Sequence, residues 1–279
     1  MVRFIHSNGA RLAYQEAGQG IETMILVHGW VDRHETMLPL AARFAKRYRV
    51  IAVDLRGHGL SEKTEKGYGI PSLADDIAET CRQLHVRKPI LVGHSLGGTI
   101  ALEVAARHPD LPRAVVALEG VILMPESVRA ATRPLGEALR GPHWKDAMRG
   151  FIQSNSLPTD DRQLIDTAMR EFERLPRHVH TGIFDAVTGW DAEQAARKCR
   201  VPILYVDAGS GLSDLAKFQA LCPRLVTGKT VGVGHNQMIA TPEQVTAMIE
   251  RFVIVSLKNN QIATDIYRKG YNYERFLCS

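Results

Sequence analysis

The chain has no long apolar run. Its longest hydrophobic stretches are strand-sized, so no segment reads as a membrane span. Cysteine is scarce, and Cys81, Cys199, Cys222 and Cys278 stand apart with no C-x-x-C spacing. That pattern argues for free thiols and against a disulfide framework or a zinc site. Charge of one sign is not concentrated either: 35 Lys and Arg against 30 Asp and Glu leave a formal +5 spread along the chain. A nucleic-acid binder would gather its basic residues on one face or helix, so no such partner is expected. Met-Val-Arg-Phe-Ile-His at the start lacks the basic-then-apolar order of a secretion signal and reads as a first strand. Internal repeats and low-complexity tracts are absent. The expectation is a cytoplasmic protein with no membrane partner. With 279 residues, 45% of them hydrophobic, it can bury the core of one large α/β domain or of two smaller ones.

Strand and helix signals alternate along most of the length. Val2–Ser7 and Arg11–Glu16, separated by Asn8-Gly9, predict a hairpin. Thr23–Val27 reads as a buried strand ending in His28-Gly29-Trp30. A helical stretch follows near Met37–Tyr48, then a strand over Val50–Val53. Ser72 is placed to cap a helix running to about Leu84, because Leu73, Ile77 and Leu84 recur at helical spacing. Ala114–Leu118, Ile203–Val206 and Thr230–Val233 read as further strands, and Glu243–Val255 as a last amphipathic helix.

Between about Val121 and Trp190 the alternation stops and the pattern is helical throughout, as in Asp160–Leu175. Helices inserted between strands of a parallel sheet are expected to lie over the carboxyl ends of the strands, where open α/β sheets bind ligands. The expected organisation is a core of residues 1–120 and 191–256, a helical cap of residues 121–190, and a C-terminal extension, 257–279. That extension mixes Lys258, Arg268, Lys269 and Arg275 with four aromatic residues.

The most informative segment is Ile90-Leu-Val-Gly-His-Ser-Leu-Gly-Gly98. An apolar run, then Gly93-x-Ser95-x-Gly97, then a helix-like stretch from Thr99 to Arg107 make a strand, a sharp turn and a helix. The glycines permit a turn in which backbone segments approach too closely for a Cβ, and Ser95 stands at its tip in a strained conformation. Serine needs a base to act as a nucleophile. Of the eleven histidines, His235 sits in Val-Gly-Val-Gly-His after the last expected strand and before the final helix. His28, His58 and His94 belong to motif loops and shape backbone. His178-x-His180 has no accompanying carboxylates or cysteines, so no metal site is expected.

Four motifs in order give the chain its resemblance to the α/β-hydrolase fold superfamily, in its capped serine hydrolase branch. They are His28-Gly29-Trp30, Asp54-Leu55-Arg56-Gly57-His58-Gly59-Leu60-Ser61, Gly93-His94-Ser95-Leu96-Gly97-Gly98, and Gly234-His235. The resemblance covers about residues 2–256. It implies a mostly parallel eight-stranded sheet with helices on both faces, Ser95 as nucleophile and His235 as base, without a cofactor. It also implies an oxyanion hole from the backbone N–H groups of Trp30 and Leu96.

Many relatives carry the triad acid a few residues beyond the strand read as Ile203–Val206. Here that region is Asp207-Ala-Gly-Ser-Gly-Leu-Ser-Asp214, with Asp207 early and Asp214 at what looks like a helix start. Glu119 is the preferred candidate, as the first polar residue after the buried run Ala114–Leu118, and Asp207 is the alternative. Haloalkane dehalogenases and cofactor-free dioxygenases of this fold place their acid after the corresponding strand. Asp54 is expected to brace its loop, and Arg56 to make structural hydrogen bonds across the sheet edge. Trp30, Trp144, Phe151, Phe184 and Trp190 are candidate pocket residues.

Serine at the elbow excludes the aspartate-dependent dehalogenases and epoxide hydrolases. The resemblance implies hydrolysis of a small carboxylic ester, thioester or lactone, with an apolar acyl or aromatic substrate. The alternatives are C–C bond hydrolysis, cofactor-free dioxygenation, and a non-catalytic small-molecule receptor.

Overall fold

The computed structural model describes residues 1–154 and 162–258. Its frame is an eight-stranded sheet in the order β1-β2-β4-β3-β5-β6-β7-β8. β1 (Val2–Ser7) and β2 (Ala10–Ala17) form the antiparallel hairpin, and β2 joins the rest by pairing antiparallel with β4 (Arg49–Val53). β3 (Thr23–Val27), β5 (Ile90–His94), β6 (Ala114–Leu118), β7 (Ile203–Asp207) and β8 (Leu225–Lys229) run parallel, with β4, through the remainder. Every residue of β3, β5 and β6 is buried, as an unbroken apolar run covered on both faces requires.

Strand periodicity divides the core in two. Ile25, Val27, Leu91, Val115 and Tyr205 point to one face, where α2 (Ile70–Gln83), α3 (Leu96–Arg107) and α8 (Ala192–Lys198) pack. Met24, Leu26, Val92, Val116 and Val206 point to the other, against α1 (Leu38–Phe44) and α11 (Pro242–Val253). A one-residue register slip would exchange the two sets, so burial on both faces fixes the pairing.

After β6 come α4 (Glu126–Ala138), α5 (Trp144–Ser154), α6 (Arg162–Arg174) and α7 (Arg177–Gly189). They share a small core of Leu139, Met148, Ile152 and Phe172, into which Val31 from the loop after β3 inserts. Polar ties hold the helices to the sheet. Arg33 pairs with the buried Glu171 of α6 at 3.2 Å, and the His178 ring of α7 donates to the Thr64 carbonyl at 3.0 Å.

Three expectations are corrected. The last strand is β8, not Thr230–Val233, which is irregular and bends at Gly232 with φ +74°. β8 is an edge strand with three of its five residues exposed, so it lacks the apolar run that marks the central strands. The α2 helix begins at Ile70 with Gly69 as its cap, because Pro71 fits the first turn, and Ser72 falls inside it. The α3 helix begins directly at Leu96. Asp214 does start a helix: its side chain accepts the Lys217 N–H at the head of α9 (Leu215–Leu221). The beginning of the helix expected from Asp160 and nearly all of the extension 257–279 lie outside the described residues. No described helix is long and apolar enough to cross a membrane.

Arg56 and Asp76 brace the loop after β4. Arg56 donates to both oxygens of Asp76, at 2.9 and 2.8 Å, and Asp76 also accepts from the Ser7 hydroxyl. Both charges are buried, so removing one strands the other. Asp76→Ala should therefore cost about 3–5 kcal/mol, read as a lower urea midpoint.

Candidate active site

The carboxyl ends of β3, β5 and β6 each carry a non-glycine residue at positive φ: Val31 at +58°, Ser95 at +52° and Glu119 at +50°. Such conformations cost about 1–3 kcal/mol each and persist where surrounding structure imposes them. At Ser95 the imposition is visible. A Cβ on Gly93 would lie 2.1 Å from the Gly97 carbonyl oxygen, and one on Gly97 would lie 2.1 Å from that of Val27. The turn closes only because both are absent. Ser95 therefore projects from the tip of β5, immediately before α3.

Glu119 is fully buried, and its backbone N–H donates to the Val206 carbonyl at 2.9 Å. Its carboxylate is surrounded by donors: the Ala208 N–H on Oε1, the Ser210 hydroxyl on Oε2, and His235 Nδ1–H at 3.4 Å from Oε2. Burial favours the neutral acid, but the hydrogen bonds from His235, Ala208 and Ser210 outweigh it and bring the carboxyl to about 2. The proton that His235 places on Nδ1 leaves Nε2 as its basic nitrogen. Burial, then the neighbouring charge of His94, hold the His235 imidazole below its ordinary pKa, against the pull of Glu119 and Asp32. A neutral imidazole is the form able to accept a proton.

Ser95, Leu96, His235 and Trp30 all line one cavity of about 820 Å³. Leu96 is the first residue of α3, so its N–H has no intrahelical acceptor. The four-helix segment supplies most of the remaining wall, including Val128, Leu135, Phe151, Ile165 and Phe184.

A sequence profile of the α/β hydrolase fold matches residues 22–240. The chain belongs to the α/β-hydrolase fold family. It is 45% identical over 108 residues to a 2-(acetamidomethylene)succinate hydrolase of Mesorhizobium japonicum, a match covering 39% of this chain and 38% of that protein. The matches to the first curated relatives span about two fifths of their length. A soluble epoxide hydrolase of a Corynebacterium species is 26% identical over 256 residues, 82% of this chain and 88% of the other. Among solved structures, the enol-lactonase of Burkholderia xenovorans superposes with a TM-score of 0.78 at 18% identity, over 90% of this chain and 99% of that one. That likeness shows the fold alone.

Within this α/β-hydrolase fold the candidate residues separate. Asp207 does not face His235: one oxygen accepts the Gly209 N–H at 2.9 Å and the other lies 3.4 Å from Lys229 Nζ on β8. Trp30, Phe151 and Phe184 line the cavity, whereas Trp144 and Trp190 do not and are corrected here. Trp144 faces Phe172 and His180 within the helical segment, and the Trp190 indole donates to Glu103 on α3 at 2.9 Å. His180 is enclosed by Trp30, Trp144 and Phe172, and its burial pushes the imidazole down to about 4. Among the described residues, His34, Glu35 and Asp54 alone group as metal donors would. Asp54 there already accepts from the His34 N–H and ring at 2.6 and 2.9 Å and from the Leu60 N–H at 2.8 Å.

Three features escaped the sequence reading. Ser210 and Ala208 serve Glu119 as donors. The Gly120 carbonyl is fixed by the Tyr205 hydroxyl at 3.0 Å and the Ser213 hydroxyl at 2.7 Å. Asp32 lies on the cavity wall, 3.5 Å from His94 Nδ1. Only the position of Asp32, three residues after Gly29 in a motif loop, offered a signal.

The Glu119 charge favours the imidazolium form of His235. Glu119→Gln should therefore lower the His235 titration midpoint by about one to two units, measured by NMR of the ring. Asp207→Asn should leave that midpoint unchanged.

Proposed function

We propose that this protein is a serine hydrolase acting on a neutral carboxylic ester, thioester or lactone, with Ser95, His235 and Glu119 as its triad and the α4–α7 helices as a cap. The observation that carries this reading is the buried, ionised Glu119 hydrogen-bonded to a His235 that shares its cavity with Ser95. That is the base-and-orienter arrangement an unactivated serine requires.

In the proposed reaction Ser95 Oγ attacks the carbonyl carbon while His235 Nε2 takes its proton. The charge that develops on the carbonyl oxygen is met by the backbone N–H groups of Trp30 and Leu96. Collapse of the tetrahedral intermediate breaks the bond to the leaving oxygen or sulfur, which receives the proton from His235. Water then attacks the acyl-enzyme by the same route in reverse and releases the acid and free Ser95. Glu119 stays ionised throughout and supports the imidazolium that forms transiently.

The cavity chemistry supports a neutral substrate. No Lys or Arg occurs among its described lining residues, and its one carboxylate, Asp32, is held in the charged form. Burial opposes the Asp32 charge, but His94, 3.5 Å away, lowers its pKa. A dicarboxylate such as the substrate named for the Mesorhizobium relative would enter this cavity without a Lys or Arg to meet it, at a desolvation cost. The Burkholderia enol-lactonase shares the fold and is named for a lactone.

A fluorophosphonate should label Ser95 and block hydrolysis of p-nitrophenyl acetate and butyrate, and Ser95→Ala should abolish both labelling and turnover. Wild-type protein that neither labels nor hydrolyses either ester would sink the hydrolase reading. Glu119→Gln should reduce kcat by about 10²–10⁴, and Asp207→Asn by less than about twofold. Between a butyrate ester and the succinate half-ester of the same alcohol, kcat/KM should favour the neutral substrate by about tenfold or more.

A further inference from the structure

His94 is the residue immediately before Ser95, and its ring lies against that of His235. The His94 and His235 ring centroids are 4.6 Å apart, and His94 Nε2 lies 3.0 Å from the His235 backbone carbonyl oxygen. A carbonyl oxygen only accepts, so Nε2 carries a proton. The other ring nitrogen, Nδ1, is buried without a hydrogen-bond partner of good geometry, and what it faces is the Asp32 carboxylate at 3.5 Å. In a neutral His94 with its proton on Nε2, a bare lone pair would confront a carboxylate, two acceptors across a buried gap. A proton on Nδ1 converts that conflict into a pair of opposite charges.

The three groups converge on one point. A Cβ built on Gly29 would lie 2.9 Å from His94 Nδ1, 3.1 Å from Asp32 Oδ2 and 3.2 Å from Ser95 Cβ. Gly29 thus leaves the room in which the pair meets, directly behind the elbow.

We propose that Asp32 and His94 form a second, buried ion pair, which holds the His235 loop in register with Ser95 and sets a positive charge beside the His235 ring. His94 is a positioning residue, since it acts through His235. Its hydrogen bond ties residue 235 to the elbow itself across 141 positions of sequence. Its charge opposes that of Glu119. The groups facing His235 are Glu119 at the end of β6, His94 at the end of β5 and Asp32 beyond β3; Asp32 in turn faces His28. Glu119 and Asp32 favour imidazolium and His94 disfavours it, and His94 acts more strongly on His235 than Asp32 does. The net effect of the pair is to keep the base free of its proton at lower pH.

Neutralising Asp32 removes the counter-charge that keeps His94 protonated, so the stronger of the two opposing influences disappears and the His235 midpoint rises. Ring-nitrogen NMR of the full-length protein, assigned with His94→Gln and His235→Gln variants, reads both groups without substrate. Expected are protons on both His94 nitrogens in the wild type at pH 7 and loss of the Nδ1 proton in Asp32→Asn. The His235 midpoint should rise by about one unit in both Asp32→Asn and His94→Gln, the latter retaining an N–H for the carbonyl. A bare Nδ1 in the wild type, or a His235 midpoint that stays or falls in the two variants, overturns the proposal. Its kinetic consequence rests on the hydrolase reading: the acidic limb of kcat/KM for p-nitrophenyl butyrate should move up with the midpoint. An inert wild type would remove that reading, while the ring titrations would still decide the ion pair.

Discussion

Glu119 carries its charge at the carboxyl end of β6 with no solvent around it, and a carboxylate so placed must be matched by donors or take up a proton. Three donors from two loops meet that demand. The Ala208 amide and the Ser210 hydroxyl come from the loop after β7, and the imidazole comes from the loop after β8. The position of the His235 ring is thus a by-product of satisfying a buried charge. The same demand explains why the loop after β7 is made of small, polar residues. In this chain that loop supplies hydrogen-bond donors to Glu119.

The second constraint is steric. β3, β5 and α3 approach each other so closely around Ser95 that Gly29, Gly93 and Gly97 admit no side chain. Close packing brings the motif after β3 against the elbow, and it places Asp32 and His94 within reach of each other. The charged and the Cβ-free features are therefore one arrangement. Flattening the turn would separate Ser95 from the loop after β3 and Asp32 from His94 together.

The central strands were legible because a strand buried on both faces must be an unbroken apolar run, and β3 and β6 were read to the residue; the edge strand β1 was marked instead by the Asn8-Gly9 turn that follows it. β8 was missed because an edge strand is half solvated: Leu225-Val-Thr-Gly-Lys229 carries no such run, while the two valines of Thr230–Val233 imitate one. In the site, Ser95 and His235 were marked by local motifs, and Glu119 by being the first polar residue after a buried strand. What could not be read was orientation about a helix axis and pairing through space. Trp144 and Phe151 lie on the same helix, yet one turns toward Phe172 and the other toward the cavity. The Asp32–His94 contact joins the loop after β3 to the end of β5, which only the sheet order brings together.

The Gly120 carbonyl, fixed by Tyr205 and Ser213, lies one residue beyond Glu119 and just before the chain leaves the sheet for α4. Ser213 also accepts the Ile122 N–H at 2.8 Å, so both sides of this junction are pinned to the β7 side of the sheet. The anchor works as a mechanical break. Length and sequence can drift in the helices beyond it, and the cavity can change shape, without disturbing the buried carboxylate a few ångströms away. A chain built this way can diversify what it binds while leaving the chemistry of its sheet edge untouched.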